Sequence, residues 1–129
     1  MNTQTISGEM PRVYVAGAMS ADNILDMLGN ISEGVRYGAQ LLQAGFAPFV
    51  PHLDIAFKLQ GGRAYDVPLS SYYGYSLAWL RASDAVLVVP GSENSIGTKN
   101  ELAAACKLGI PIYHDISTLC AVFSQDSRE

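Results

Sequence analysis

Hydrophobic and polar positions follow one another along this chain in an order that predicts strands separated by helices. Four short apolar runs, bounded by glycine or proline, are typical of strands buried in a sheet: 12–16, 46–50, 84–89 and 110–113. Between the first two runs, apolar residues recur at helical spacing as far as Gly45, a suitable C-terminal stop. Three further helices are predicted, one capped by Ser70 or Ser71, one over Thr98–Leu108 and one over 117–123.

Strands that alternate with helices form right-handed β-α-β units around a mostly parallel sheet. We therefore predict an α/β fold, a small doubly wound sheet of the flavodoxin or Rossmann-like kind, with four to five strands and helices on both faces. Residues 1–10 are predicted to be a flexible arm and residues 11–129 a single domain. The irregular stretch 51–70 is predicted to be a long loop with one helical turn around Ile55–Leu59.

Ligands of doubly wound sheets bind beyond the carboxyl ends of the strands, where the strand order reverses. That rule selects three loops for chemistry: residues 17–23, the segment from Pro51 onward, and residues 90–98.

Composition and charge narrow the class of partner. The chain has 129 residues, with 8 Lys and Arg against 12 Asp and Glu, a net charge of −4. Such a chain lacks the basic surface of a protein that binds a nucleic-acid polymer. Cys106 and Cys120 lack metal-ligand spacing, so we expect no metal or cofactor and interpret Cys106 as buried and inert. No apolar run is long enough to span a membrane, and we expect a cytoplasmic protein with a small-molecule partner.

The third loop carries the most specific candidate chemistry. Small residues, among them Gly91, Ser95 and Gly97, lead into a predicted helix whose free amides favour an anion or sugar oxygens. Glu101 follows, and two interpretations stay open. Thr98-x-x-Glu101 matches a capping box, in which the carboxylate only satisfies an amide; alternatively, Glu101 is an ionised nucleophile.

Residues of the two earlier loops also have both a structural and a functional interpretation. Gly17 lets the backbone approach a ligand closely, and Ser20 or Asp22 is a candidate cap for the next helix. His52 beside Asp54 is either an acid–base pair or a locally hydrogen-bonded loop pair.

Aromatic residues share one face of the predicted third helix. Tyr72, Tyr75 and Trp79 lie there at helical spacing, which is typical of core or a subunit interface; the alternative is a stacking surface for a planar base.

Five motifs together carry a family resemblance over nearly the whole chain: Val13-Tyr14-Val15-Ala16-Gly17, Gly45 to Pro51, Trp79 to Val88, Ser95-x-Gly97-x-x-x-Glu101-x-x-x-Ala105, and Gly109-Ile110-Pro111-Ile112. In this order the motifs resemble the nucleoside 2-deoxyribosyltransferase superfamily. That superfamily includes 2′-deoxynucleoside 5′-phosphate N-hydrolases and small uncharacterised phage and bacterial relatives. The resemblance implies cleavage of the N-glycosidic bond of a 2′-deoxynucleoside or its monophosphate, by transfer to another base or by hydrolysis.

The resemblance also implies residue roles. Glu101 corresponds to the nucleophile that forms a glycosyl-enzyme intermediate, and Tyr14 to the tyrosine that positions it. It further implies a homo-oligomer, a dimer or higher, for which the Tyr72–Trp79 face offers an apolar surface. Expected substrate contacts come from the three loops and the third helix: Gly17, Ser20, His52, Ser76, Gly91, Ser95, Gly97 and Thr98.

At one position the sequence differs from the family pattern in a way that affects catalysis. Ser76 stands where the family usually has the aspartate that protonates the leaving base, and a serine hydroxyl is no acid near neutral pH. We therefore expect Asp54 or Asp66 to supply that proton. The alternative functions are a catalytically impaired module that binds a nucleoside or nucleotide, and a structural oligomer with a vestigial pocket.

Overall fold

A computed structural model describes residues 9–62 and 65–127. Over these residues, the sheet has four parallel strands in the order β2-β1-β3-β4. The strands are β1 (Arg12–Ala16), β2 (Ala47–Phe49), β3 (Ala85–Val88) and β4 (Ile112–Tyr113). The predicted doubly wound parallel sheet is confirmed, with four strands.

In the described part of the chain, five helices connect and follow the strands: α1 (Ile24–Gln43), α2 (Ile55–Lys58), α3 (Leu69–Arg81), α4 (Ile96–Leu108) and α5 (Ile116–Ser127). A 3-10 turn over Pro51–Asp54 precedes α2, so the helical turn predicted near Ile55 is confirmed. Gly45 and Gly109 follow α1 and α4 with φ of +97° and +73°, the left-handed conformation that glycine adopts without a steric cost.

The sheet separates two apolar layers, because successive residues of a strand point to opposite faces. Val13 and Val15 of β1 pack in one layer with Leu41 of α1 and Leu119 of α5. Tyr14 and Ala16 pack in the other layer with Leu80 of α3 and Ala105 of α4. Helices therefore cover both faces, as predicted.

The start of α1 differs from the prediction. Asn23 is its N-cap, and the side-chain oxygen of Asn23 accepts a hydrogen bond of 2.8 Å from the N–H of Asp26. Ser20 and Asp22 lie before the helix and do not cap it. All three are good capping residues, and the path of the preceding loop decides which of them reaches the first turn.

The start of α3 and the burial of one cysteine also differ from the prediction. Helix α3 begins directly after Pro68, which makes no side-chain cap, so Ser70 and Ser71 lie inside the first turn. Cys106 is exposed on α4, where an alanine-rich helix turns only a narrow face to the sheet. Within residues 9–62 and 65–127, no helix is long and apolar enough to cross a bilayer.

Candidate active site

The strand order reverses between β1 and β3, and the loops after these two strands meet there. The connection after β1 leads to β2 on one side, and the connection after β3 leads to β4 on the other. The N–H of Ala18 donates a hydrogen bond of 3.0 Å to Oγ of Ser92, which joins the two loops. This is the position at which doubly wound sheets bind ligands. Ser92 is buried and was not singled out from the sequence, which gives no sign of a contact 74 residues away.

A tyrosine–glutamate hydrogen bond lies at this switch point. The hydroxyl of Tyr14, the central residue of β1, donates to Oε2 of Glu101 on α4 at 2.6 Å, across 87 residues of sequence. The Tyr14 ring is fully buried and lies 5.4 Å from the ring of Phe49, which fixes the direction of the hydroxyl. The structure thus brings together the two residues with the most specific predicted roles.

The capping-box interpretation of Glu101 is wrong. Helix α4 starts at Ile96, and its N-cap is Ser95, whose Oγ accepts a hydrogen bond of 3.3 Å from the N–H of Thr98. Thr98 lies within the helix and Glu101 lies one turn further along, where backbone amides already have helical partners. The side chain of Glu101 is therefore free of a capping role and reaches the Tyr14 hydroxyl.

Burial dominates the electrostatics of this contact. It raises the pKa of Glu101 from 4.5 to about 7, and the hydrogen bond from Tyr14 acts in the opposite direction. The pKa of Tyr14 is raised far above its ordinary value, first by burial and then by the charge of Glu101. Tyr14 consequently stays a neutral donor, while Glu101 changes between a neutral acid and a carboxylate near neutral pH.

Ser76 and Asp54 complete the polar surroundings of Tyr14. The hydroxyl of Ser76, on α3, lies near the tyrosine oxygen and lowers the pKa of Tyr14. Asp54, at the end of the turn after β2, is buried, and its charge raises the pKa values of both Tyr14 and Tyr75. Burial also raises the pKa of Asp54 itself, although Lys58 opposes this. Asp54 is thus a second carboxyl group whose charge acts on Tyr14.

Asp66, the other candidate proton donor, lies elsewhere. It is exposed, and its Oδ1 accepts a hydrogen bond of 3.0 Å from the N–H of Gly62. It lines a shallow depression of about 230 Å³ with Lys58 and Tyr72, and neither Tyr14 nor Glu101 borders that depression. Of the two aspartates, Asp54 is the buried one and the one whose charge acts on Tyr14, so it is the better candidate.

His52 is buried next to the backbone of Gly17 and Ala18. Only 1% of the residue is exposed, and neither ring nitrogen has a hydrogen-bond partner among the described residues, so it forms no pair with Asp54. Its ring fits against two glycines: a Cβ at Gly34 would lie 2.3 Å from the ring, and one at Gly17 would lie 3.0 Å from Nε2. Burial lowers the pKa of His52, so the imidazole is neutral. Gly17 thus makes room for His52 and for Val89.

The remaining predicted contact residues surround the same switch point or its margin. Gly91 has a φ of +86° in the loop after β3, and Gly97 lies in the first turn of α4. Thr98 is fully buried, and its Oγ1 has no hydrogen-bond partner among the described residues. Ser20 is exposed, and its carbonyl accepts a hydrogen bond of 3.4 Å from Asn30.

The aromatic face of α3 packs on the end of β2. Trp79 stacks on Phe49 with the ring centroids 5.6 Å apart and the planes 16° from parallel, and Tyr75 meets the edge of Phe49 at 5.6 Å. Trp79 nevertheless keeps 46% of its surface exposed. Sequence reasoning overlooked Phe49, which could have been found as an aromatic residue at the carboxyl end of a predicted strand.

No family model matches this chain, and no curated protein matches it by sequence. A solved 2-deoxyribosyltransferase from the psychrotolerant bacterium Bacillus psychrosaccharolyticus matches 78% of this chain and 69% of its own, with a TM-score of 0.54 and 17% identity. The fold is that of a 2-deoxyribosyltransferase. The resemblance that the sequence motifs indicated is thus confirmed at the level of the fold.

Proposed function

We propose that this protein cleaves the N-glycosidic bond of a 2′-deoxynucleoside, or of its 5′-monophosphate, through a covalent intermediate on Glu101. The observation that carries this proposal is the 2.6 Å hydrogen bond from Tyr14 to Glu101 at the switch point of the sheet. A partly buried carboxylate held by one neutral donor keeps one oxygen free, which a nucleophile requires. The fold shared with an enzyme named as a 2-deoxyribosyltransferase supports the same chemistry.

The proposed reaction has two displacement steps at the anomeric carbon. The free oxygen of Glu101 forms a bond to C1′ while the C1′–N bond breaks, and the base leaves with that electron pair and a proton. A second base nitrogen, or water, then attacks C1′, releases the Glu101 carboxylate and gives up one proton. Two displacements retain the configuration at C1′, as in retaining glycosidases.

Asp54 is the proposed proton donor for the leaving base. Its carboxyl group is buried, and its raised pKa keeps more of it protonated, which an acid needs. In the second step the same group accepts the proton from the incoming base or water. Tyr14 is a positioning residue in this scheme, because it holds Glu101 without itself losing a proton.

Incubation with each 2′-deoxynucleoside and each monophosphate, with and without a free acceptor base, tests the proposal. Chromatography should detect released base, and Glu101→Gln should abolish release because an amide is a poor nucleophile. Glu93→Gln is the matched control, since Glu93 is an exposed glutamate in the loop before α4. Undiminished release by Glu101→Gln would end the covalent scheme.

A second candidate function is a module that binds a nucleoside or nucleotide without cleaving it. The presence of Ser76 beside Tyr14 favours it, because a hydroxyl donates a hydrogen bond there but no proton. Saturable binding without release of base, together with turnover gained by Ser76→Asp, would support this alternative. Turnover that is lost in Asp54→Asn and present in the unmodified protein would support the enzyme.

A further inference from the structure

The chain between β3 and α4 passes through two consecutive turns that share Ser92. The N–H of Ser92 donates to the carbonyl of Val89 at 3.1 Å and closes the first turn, in which Gly91 has a φ of +86°. A proline followed by a residue with positive φ is the arrangement of a type II turn. The carbonyl of Ser92 then accepts a hydrogen bond of 3.0 Å from the N–H of Ser95, the N-cap of α4. The position of Ser92 therefore determines where α4 begins.

The side chain of Ser92 joins these turns to the first strand. Its Oγ accepts a hydrogen bond of 3.0 Å from the N–H of Ala18, just beyond the end of β1. Only 5% of Ser92 is exposed, so water competes little for this hydrogen bond. The backbone N–H, the carbonyl and the side-chain oxygen of Ser92 thus each hold a different segment of the switch point.

Tyr14 and Glu101 lie on the two elements that Ser92 joins. Tyr14 is the central residue of β1, and Glu101 is in the second turn of α4. At a rise of 1.5 Å per residue, Glu101 lies about 7.5 Å along the helix axis from the first residue of α4. The hydrogen bond of 2.6 Å between the two side chains tolerates a shift of only a few tenths of an ångström. A displacement of the start of α4 would therefore reach this contact directly.

The packing of α4 on the sheet uses mostly small side chains. Its buried residues are Thr98 and Ala105, and Leu102 and Ala104 are partly buried beside them. Small side chains interlock less with a facing surface than large ones do, so they limit the sliding of a helix less. The hydrogen bonds at the start of α4 consequently contribute more to its placement.

We propose that Ser92 is a positioning residue, whose hydroxyl holds the start of α4 against the end of β1 so that Glu101 meets Tyr14. Ser92 acts through the placement of the helix that carries Glu101, and not by contact with the reacting atoms. This inference rests on the proposed function, in which Glu101 is the nucleophile and Tyr14 holds it.

The titration of Glu101 in Ser92→Ala tests the proposal without any need for turnover. The hydrogen bond from Tyr14 lowers the pKa of Glu101, so a loosened bond should raise it. We expect a rise of about half a unit, a part of what complete loss of the bond would give. Carbon-13 NMR of labelled glutamate carboxyls measures this rise, and the signal of Glu101 is the one that disappears in Glu101→Gln. An unchanged pKa of Glu101 in Ser92→Ala would overturn the proposal.

Two further variants separate positioning from a general loss of structure. In a Tyr14→Phe background, Ser92→Ala should raise the pKa of Glu101 no further, because the hydrogen bond that Ser92 supports is already absent. Ser92→Thr keeps an accepting oxygen and should titrate as the wild type does. Equal rises with and without the Tyr14 hydroxyl would contradict the proposal, as would a threonine variant that behaves like the alanine variant.

Ser83→Ala is the matched control. Ser83 also makes a serine hydrogen bond, from its Oγ to the carbonyl of Trp79 at 2.8 Å, but it precedes β3 at the opposite edge of the sheet. Its removal should leave the pKa of Glu101 unchanged, and far-UV circular dichroism checks that each variant folds. A rise in this control as large as that in Ser92→Ala would show that the effect is not specific to Ser92, and the proposal would fail.

The rate of base release distinguishes a failure of this inference from a failure of the proposed function. If the wild type releases base, Ser92→Ala should release it about tenfold more slowly at neutral pH, since a displaced nucleophile reaches the reactive geometry less often. Undiminished release by Ser92→Ala would overturn the positioning role and leave Glu101 as the nucleophile. A wild type that releases no base would contradict the proposed function, whereas the titration of Glu101 would still decide whether Ser92 positions it.

Discussion

The partly buried carboxyl of Glu101 should make the folded protein less stable as the pH rises. Its pKa is about 7 in the folded protein and 4.5 when the side chain is free in water. Between these values the folded state holds a proton that the unfolded chain has released, so the free energy of unfolding falls as the pH increases. Each pKa unit corresponds to about 1.4 kcal/mol, so the whole difference amounts to about 3 kcal/mol.

Glu101→Gln isolates this contribution. Glutamine keeps the size of the side chain and an oxygen that accepts the hydrogen bond from Tyr14, but it does not ionise. Below pH 4.5 both proteins are neutral at this position, and their difference in unfolding free energy serves as the baseline. Above pH 7 the variant should be more stable, relative to that baseline, by about 3 kcal/mol.

Urea unfolding of both proteins at a series of pH values measures this difference. Groups other than Glu101 titrate equally in the two proteins and cancel in the comparison, and Glu93→Gln provides a control with an exposed glutamate. If the difference between wild type and Glu101→Gln stays constant between pH 4 and 8, Glu101 ionises in the fold as it does in water. The reasoning from burial would then be refuted. If the active site holds its nucleophile at a cost in stability, the difference should instead grow as the pH rises.

Two further predictions concern the same region. Tyr14→Phe removes a hydrogen bond to Glu101 worth about 1.5–3 kcal/mol. The pKa of Glu101 should therefore rise by about one to two units. In a pH–rate profile, any release of base should move to higher pH. Gly34→Ala should lower the free energy of unfolding in urea by about 1–3 kcal/mol, because the new Cβ meets the His52 ring. Adding His52→Ala to this variant should restore part of the lost stability. Gly29→Ala, with open space around it on the same helix, should instead stabilise by about 1 kcal/mol; equal effects at the two glycines would contradict the packing described for His52.

Short-range patterns in the sequence were sufficient to predict much of the fold. The apolar run 84–89 predicted β3, and Gly45 and Gly109 predicted the ends of α1 and α4. These features depend on hydrogen bonds and φ angles within a few residues, and the sequence records such short-range preferences directly. Chain connectivity then required a parallel sheet, whose carboxyl ends locate the candidate site.

Helix starts were harder to predict, since several good capping residues stand next to each other. Asn23 caps α1 in place of Ser20 or Asp22, and Ser95 caps α4 in place of Thr98. The choice among them depends on where the preceding loop leaves the sheet, and local spacing carries no record of that path.

The sequence by itself determined which elements form and which side chains were candidates for chemistry, Tyr14 and Glu101 among them. Only the tertiary structure decided that β1 lies beside β3, that Glu101 turns to Tyr14 instead of its own helix start, and that Asp54 is buried while Asp66 is exposed. The physical reason is the distance along the sequence over which each kind of interaction acts. Propensity and capping act over three or four residues, whereas a contact across 87 residues, and the burial that raises a carboxyl pKa, exist only after the sheet has assembled.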